Sequence, residues 1–220
     1  MSTHTPLQSI VYPDSDGLPM SDNTLQFEWI TKLVGGLQAV FRDNPDVFVA
    51  GDLLWYPIEG DNKTRIAPDA MVAFGRPKGY RGSYMQWVED GIPPHVVFEV
   101  RSPGNRFGEM ARKFDFYDRF GVEEYYLINP EMQTLEGWRR VGDKLQEIPD
   151  LNGWVSPRLG IRFDLSDDHL RILDPQGQPF ESYVDVVQRA DEEAQRADQE
   201  AQRANRLAAK LRALGVDPDA

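Results

Sequence analysis

Two carboxylates open the chemistry of this chain. Asp69 follows Pro68 in an apolar run, RIAPDAMVAF, and Glu99 interrupts another, VVFEV, about thirty residues later. A carboxylate inside a buried strand is expensive unless a partner or a metal offsets its charge. If the two strands pair, Asp69 and Glu99 meet at one end of a sheet. Two hard oxygen ligands, a backbone carbonyl and several waters suffice to hold Mg²⁺, with Mn²⁺ as a substitute. A metal held that way polarises a phosphoryl oxygen and lowers the pKa of a bound water. Lys113 can supply the cation that orients this water and offsets phosphate charge. Arg101, two residues beyond Glu99, points to the same sheet face.

The elements that position these groups are legible from Val96 to Pro130. Val96–Val100 reads as a buried strand. Ser102-Pro103-Gly104-Asn105 stops it and can start a helix. From Arg106 to Phe120, residues Met110, Phe114, Tyr117 and Gly121 share a face, and Gly121 sits at a C-cap. Lys113 shares a helix edge with Met110 and Tyr117 and can lean back over the sheet. Glu124–Ile128 is a second strand, stopped by Asn129-Pro130. Strand, helix and strand make the βαβ unit of a parallel pair. Upstream, Ser21-Asp22-Asn23 caps a helix over 24–42 with an apolar stripe of Leu25, Trp29, Leu33, Leu37 and Val40. A strand over 47–56 bends at Gly51. A second strand spans 65–74, where Pro68 marks a bulge or an unpaired side. The loop Gly75–His95 is too rich in Gly and Pro for regular structure. It carries Tyr80, Tyr84 and Trp87, as loop anchors or as platforms for base stacking. After Pro130, short antiparallel strands extend or cover the sheet.

At 220 residues the chain is one medium domain with an appendage, and a net charge of −12 argues against a general nucleic-acid-coating protein. No cysteine is present, so disulfides and thiolate metal sites are excluded. His4, His95 and His169 are too scattered for a histidine metal site. The N-terminus lacks a signal peptide's apolar core and no apolar run reaches membrane-spanning length, so the expected location is cytoplasmic. The expected organisation is an arm over 1–22, a domain over 23–179 and a helix over 180–220. In that helix Ala190, Ala194, Ala197, Ala201, Ala204, Ala208 and Leu211 form a heptad seam, ending near Gly215 and Pro218. The seam suits a homodimer or an antiparallel helix pair, and equally a solvated single helix.

Pro68-Asp69 followed by Glu99-Val100-Arg101 resembles the signature of the PD-(D/E)xK nuclease superfamily. Longer strings, VFVAGDLLWYP, RIAPDAMVAFGRPKGYRGSY, VVFEVRSPGNRFGEMARKFDFYDRFGVEEYYL and NGWVSPRLGIRFDL, are similar to the Uma-type family of candidate restriction endonucleases, over roughly 23–174. The resemblance implies an α/β (α+β) fold with a restriction-endonuclease-like core. In that core a helix, a three-stranded antiparallel meander and a helix are followed by a strand beside the first. A mixed central sheet is flanked by helices. C-terminal antiparallel strands and a long C-terminal helix complete the chain. The implied activity is metal-dependent cleavage of DNA phosphodiesters. Asp69 and Glu99 are the implied ligands, and Asp52 and Glu28 are secondary candidates for the acidic cluster and the metal. The chain departs from the superfamily at the signature lysine, where it has Arg101. Arginine binds phosphate but cannot act as a base at neutral pH. The resemblance implies that a lysine on the following helix takes that role, and Lys113 matches its position. The other reading is a nuclease fold without activity, kept as a protein- or nucleic-acid-binding module.

Overall fold

The computed structural model describes residues 10–15, 17, 19–102, 104, 107–167 and 169–214. The expected helix start at Arg106 and helix end at Gly215 and Pro218 lie outside these residues, as do His4, the side chain of Leu211 and the first nine residues of the arm. The chain divides into two compact units, 1–180 and 181–220.

A six-stranded mixed sheet forms the centre of the first unit. Its strands are β1 (Val47–Ala50), β3 (Ala70–Phe74), β5 (Val96–Val100), β6 (Glu124–Asn129), β7 (Thr134–Val141) and β8 (Lys144–Glu147), in the order β1-β3-β5-β6-β7-β8. Two short pairs complete the strands. β2 (Trp55–Tyr56) pairs with β4 (Tyr84–Met85), and β9 (Arg162–Asp164) pairs with β10 (Arg171–Leu173). The β5–β6 pair is parallel, with Glu99 level with Leu127, and helix α2 (Phe107–Arg119) makes the crossover. This is the βαβ unit expected from the sequence. The crossover seats β6 beside β5, the third strand of the meander, rather than beside the first. The 13-residue helix with its loops is long enough for the crossover that parallel neighbours need.

Strand alternation divides the core by face. Val72, Val96, Phe98, Tyr126 and Ile128 pack toward helix α1 (Thr24–Val40), against Trp29, Ile30, Leu33 and Leu37. Met71, Ala73, Val97, Tyr125 and Leu127 face α2 and meet Tyr117. Asn23 caps α1, its Oδ1 accepting from the Gln26 N–H at 2.8 Å. Gly121 ends α2 at φ 91°, a left-handed conformation that glycine adopts without strain. Gly36 is needed for packing, since a Cβ there would lie 2.3 Å from the Phe180 ring.

Two strand expectations are shortened. The run 47–56 is two strands separated at Gly51-Asp52, because the chain leaves the sheet at the bend. In 65–74 only Ala70–Phe74 joins the sheet, while Ile66 makes a single bridge to Trp55. Pro68 has no N–H to give a ladder, so the strand begins after it. The loop 75–95 does contain regular pairing, since Tyr84-Met85 adds in parallel to Trp55-Tyr56. Tyr84 is buried with its hydroxyl on the Ile92 carbonyl, whereas Tyr80 is exposed. Part of the N-terminal arm packs on the rest of the first unit. Tyr12 meets Tyr56 edge-on at 5.2 Å and Trp87 at 5.0 Å, and Tyr56 donates to the Pro13 carbonyl.

The second unit is helix α3 (Tyr183–Ala213). Its seam alanines from Ala190 to Ala204 are exposed, and Ala208 is half-buried. No helix among the described residues is long and apolar enough to cross a membrane.

Candidate active site

The register of the sheet brings the two carboxylates together. Ala70 pairs with Phe98, so Asp69, one residue before β3, stands opposite Glu99. Alternation turns both toward the α2 face. Asp69 Oδ2 accepts from the Val100 N–H at 2.6 Å. The side chain thus occupies the place where a backbone carbonyl would continue the ladder. The Pro68 carbonyl has turned away and accepts from the Asp52 N–H at 3.0 Å. A proline followed by an aspartate therefore ends the strand and aims a carboxylate at its neighbour.

Helix α2 supplies the partners. Lys113 Nζ is 2.6 Å from Glu99 Oε2, and the Tyr117 hydroxyl, one turn on, donates to Glu99 Oε1. Glu99 is 1% exposed. Burial, then the charge of Glu99, holds the Asp69 carboxyl well above the usual carboxylate range, although Lys113 and the Val100 N–H pull it down. Burial alone would depress Lys113, but Glu99, Asp69 and Glu109 outweigh it and raise the ammonium above the ordinary lysine range. Burial also pushes the Tyr117 hydroxyl far up, helped by Glu99, so it stays a donor.

A cavity of about 330 Å³ opens beside this pair, lined by Asp69, Lys113, Asp52, Asp22, Gln26 and Arg65 among others. Asp52 reaches it from a left-handed backbone conformation, φ 49°, which aspartate tolerates better than most residues. Gly51 precedes it because a Cβ there would sit 2.7 Å from Val34 and 3.1 Å from the Asp69 carbonyl.

The structure therefore gathers Asp69, Glu99, Lys113 and Asp52. It does not bring Arg101 or Glu28 to the cavity wall. Arg101 leans across the sheet face toward Glu136 on β7, 3.6 Å away. Glu28 is exposed on α1. The α1 residue that reaches the cavity is Gln26, 6% exposed. Its Oε1 accepts from the Asp22 N–H at 2.8 Å and its Nε2 donates to the Val100 carbonyl at 3.0 Å. Gln26 carried a usable signal, being the third residue after the Asn23 cap and in phase with Ile30, Leu33 and Leu37. Tyr117 is legible only as a core aromatic until its hydroxyl is seen on Glu99.

The donors fit a hard divalent cation. All are oxygens, and two carboxylates with an excess of buried negative charge face each other. Among the described residues no three His, Cys, Asp or Glu groups cluster closely enough to hold a metal by themselves. Such a cation would keep several waters, as Mg²⁺ does.

A family profile described as "Uma2: Putative restriction endonuclease" matches residues 18–172. The chain belongs to the Uma2 family. The match spans every strand of the central sheet and stops short of α3. Among solved structures, the chain is similar to one titled a putative nuclease belonging to DUF820 from Anabaena variabilis ATCC 29413. Identity is 14% and the TM-score 0.46, covering 61% of this chain and 72% of that one. No curated protein matches the chain. Uma2 membership supports a nuclease function, and nothing in the comparisons supports a homodimer through α3.

Proposed function

We propose that this Uma2 protein is a Mg²⁺-dependent endonuclease that hydrolyses phosphodiesters in DNA. The observation that carries the reading is the opposition of Asp69 and Glu99 at the end of the β3–β5 pair, with Lys113 on Glu99 and a cavity in front. Asp69 and Glu99 would hold the metal. When bound, Mg²⁺ supplies Lewis acidity toward a phosphoryl oxygen and lowers the pKa of a coordinated water.

The chain's own groups divide the remaining work. Glu99 is fixed at both oxygens by Lys113 and Tyr117, so its carboxylate cannot swing as charge changes in the site. Lys113 is held protonated by its carboxylate neighbours. It would serve as a donor and a positive charge that orients the attacking water and offsets phosphate. Gln26 ties the start of α1 to the Val100 carbonyl and keeps the end of β5 in register with Asp69. Cleavage of supercoiled plasmid with Mg²⁺ or Mn²⁺ tests the reading. Nicked or linear product is expected from the wild type and none above background from Asp69→Ala. Equal cleavage by the two proteins would defeat it.

A further inference from the structure

The cavity beside Asp69 is acidic, yet a nuclease must receive an anion there. Asp22, Asp52, Asp69 and Glu109 all line it. Two cations face them, Lys113 and Arg65, and Lys113 is already paired with Glu99 at 2.6 Å. Arg65 is different. Among the described residues it enters no ion pair with a carboxylate. Its Nη1 donates to the Asn62 carbonyl at 2.8 Å, and its guanidinium lies over the Tyr56 ring, 5.9 Å from the centroid. Tyr56 is fully buried and in turn donates to the Pro13 carbonyl, so the ring under the guanidinium is fixed. One donor holds the loop, the residue lines the cavity, and among the described residues no hydrogen bond or ion pair engages the other guanidinium N–H groups. The backbone is held as well, since Ile66 exchanges both hydrogen bonds with Trp55 at 2.7 and 3.2 Å.

Resting on the nuclease reading, we propose that Arg65 contacts the phosphate of the substrate, the role the sequence offered to Arg101. A half-buried guanidinium with free N–H groups binds two phosphate oxygens at once, which a lysine cannot do. Arg101, by contrast, spends its charge on Glu136 away from the cavity. Carboxylates around the cavity repel nucleic acid unless they hold cations, so the arginine is the chain's own means of drawing one phosphate toward Asp69.

The test is calorimetric titration of the Mn²⁺-loaded protein with thymidine 5′-monophosphate, a readout independent of turnover. Arg65→Gln should bind the nucleotide about tenfold or more weakly, the scale of one lost charged hydrogen bond. Its Mn²⁺ affinity without nucleotide should stay at the wild-type value, and Arg101→Gln should match wild type in both titrations. Equal nucleotide affinity in Arg65→Gln and wild type overturns the proposal, as does a wild type that takes up no nucleotide. Should Arg65→Gln fail to fold, Arg65→Lys carries the test. It keeps the charge but loses the fork, and an affinity equal to wild type overturns the proposal. A protein that shows the Arg65-dependent uptake yet cleaves no plasmid would sink the nuclease reading and leave the phosphate contact standing.

Discussion

Glu99 and Glu124 are each 1% exposed and lie on adjacent parallel strands, yet their surroundings differ in kind. Glu124 begins β6 on the α1 face. Its Oε2 accepts from the hydroxyls of Tyr126 and Ser156, and its Oε1 from the Arg158 N–H at 2.8 Å. These three hydrogen-bond donors are uncharged, and the residues opposite in the ladder are Val96 and Arg139, neither a carboxylate. Glu99 lies near the other end of β5 on the α2 face, with a lysine and a tyrosine as donors and Asp69 across the ladder. The first arrangement is closed and ties the 154–161 turn to the sheet. The second crowds two carboxylates beside a cavity and raises the protonation range of one. A buried carboxylate is therefore not by itself a site. The second carboxylate, the cation on the helix and the open volume make the difference.

The largest expected contrast between the two is in turnover. Lys113→Ala should lower the single-turnover cleavage rate about a hundredfold, the usual scale for removing one preorganised donor that faces developing charge. Lys113→Arg keeps the positive charge and should recover part of that loss by charge alone. Wild-type rates in Lys113→Ala would remove the helix lysine from the chemistry. In the closed cluster, Glu124→Gln should act on stability instead. The amide nitrogen of glutamine would face donors, at a cost of about 1–3 kcal/mol in urea unfolding, while cleavage by the folded fraction stays intact. A stable but inactive Glu124→Gln protein would erase the distinction drawn between the clusters.

A smaller effect belongs to His95, near the Glu123–Arg158 pair that flanks the closed cluster. Burial and then Arg158 lower its pKa below the ordinary 6.5, and its Nδ1 accepts from the Phe74 N–H at 3.1 Å. The folded state binds this proton less readily than the unfolded chain. The contribution is therefore complete above pH 6.5 and lost as pH falls through the lower folded value. Asp69 acts with the opposite sign in the metal-free protein, because its raised carboxyl favours the folded state at low pH. The difference between wild type and His95→Asn isolates the histidine. It should narrow as pH falls below 6.5, and a difference independent of pH would show that His95 is not the group titrating.

Much of the open cluster was legible because its causes are local. A carboxylate in an apolar run, a proline before another and a helix between two strands follow from period and punctuation. These place Asp69, Glu99 and Lys113 on neighbouring elements of one sheet. What was not legible depends on partners distant in sequence. Arg101 is close to Glu99 in the chain, but its charge goes to Glu136, which β7 brings alongside through its own pairing with β6. Arg65 is one of many charged residues in a turn-rich stretch until Tyr56 and the cavity are seen around it. Gln26 was hidden by its type, since an apolar stripe is read by its hydrophobic members and a glutamine in phase with it is passed over. The run 65–74 has the composition of one strand because its residues are β-formers, while the missing N–H of Pro68 decides that pairing begins at Ala70.

The central claim is that the opposed pair, and not burial of a glutamate as such, makes the site. Calorimetric titration with Mn²⁺ of wild type, Glu99→Gln and Glu124→Gln tests it most directly. The wild type and Glu124→Gln should bind Mn²⁺ with the same weak affinity. Glu99→Gln should remain folded and bind none, because the amide keeps the shape but loses the charge a hard dication needs. Equal affinity in Glu99→Gln and wild type would contradict the account.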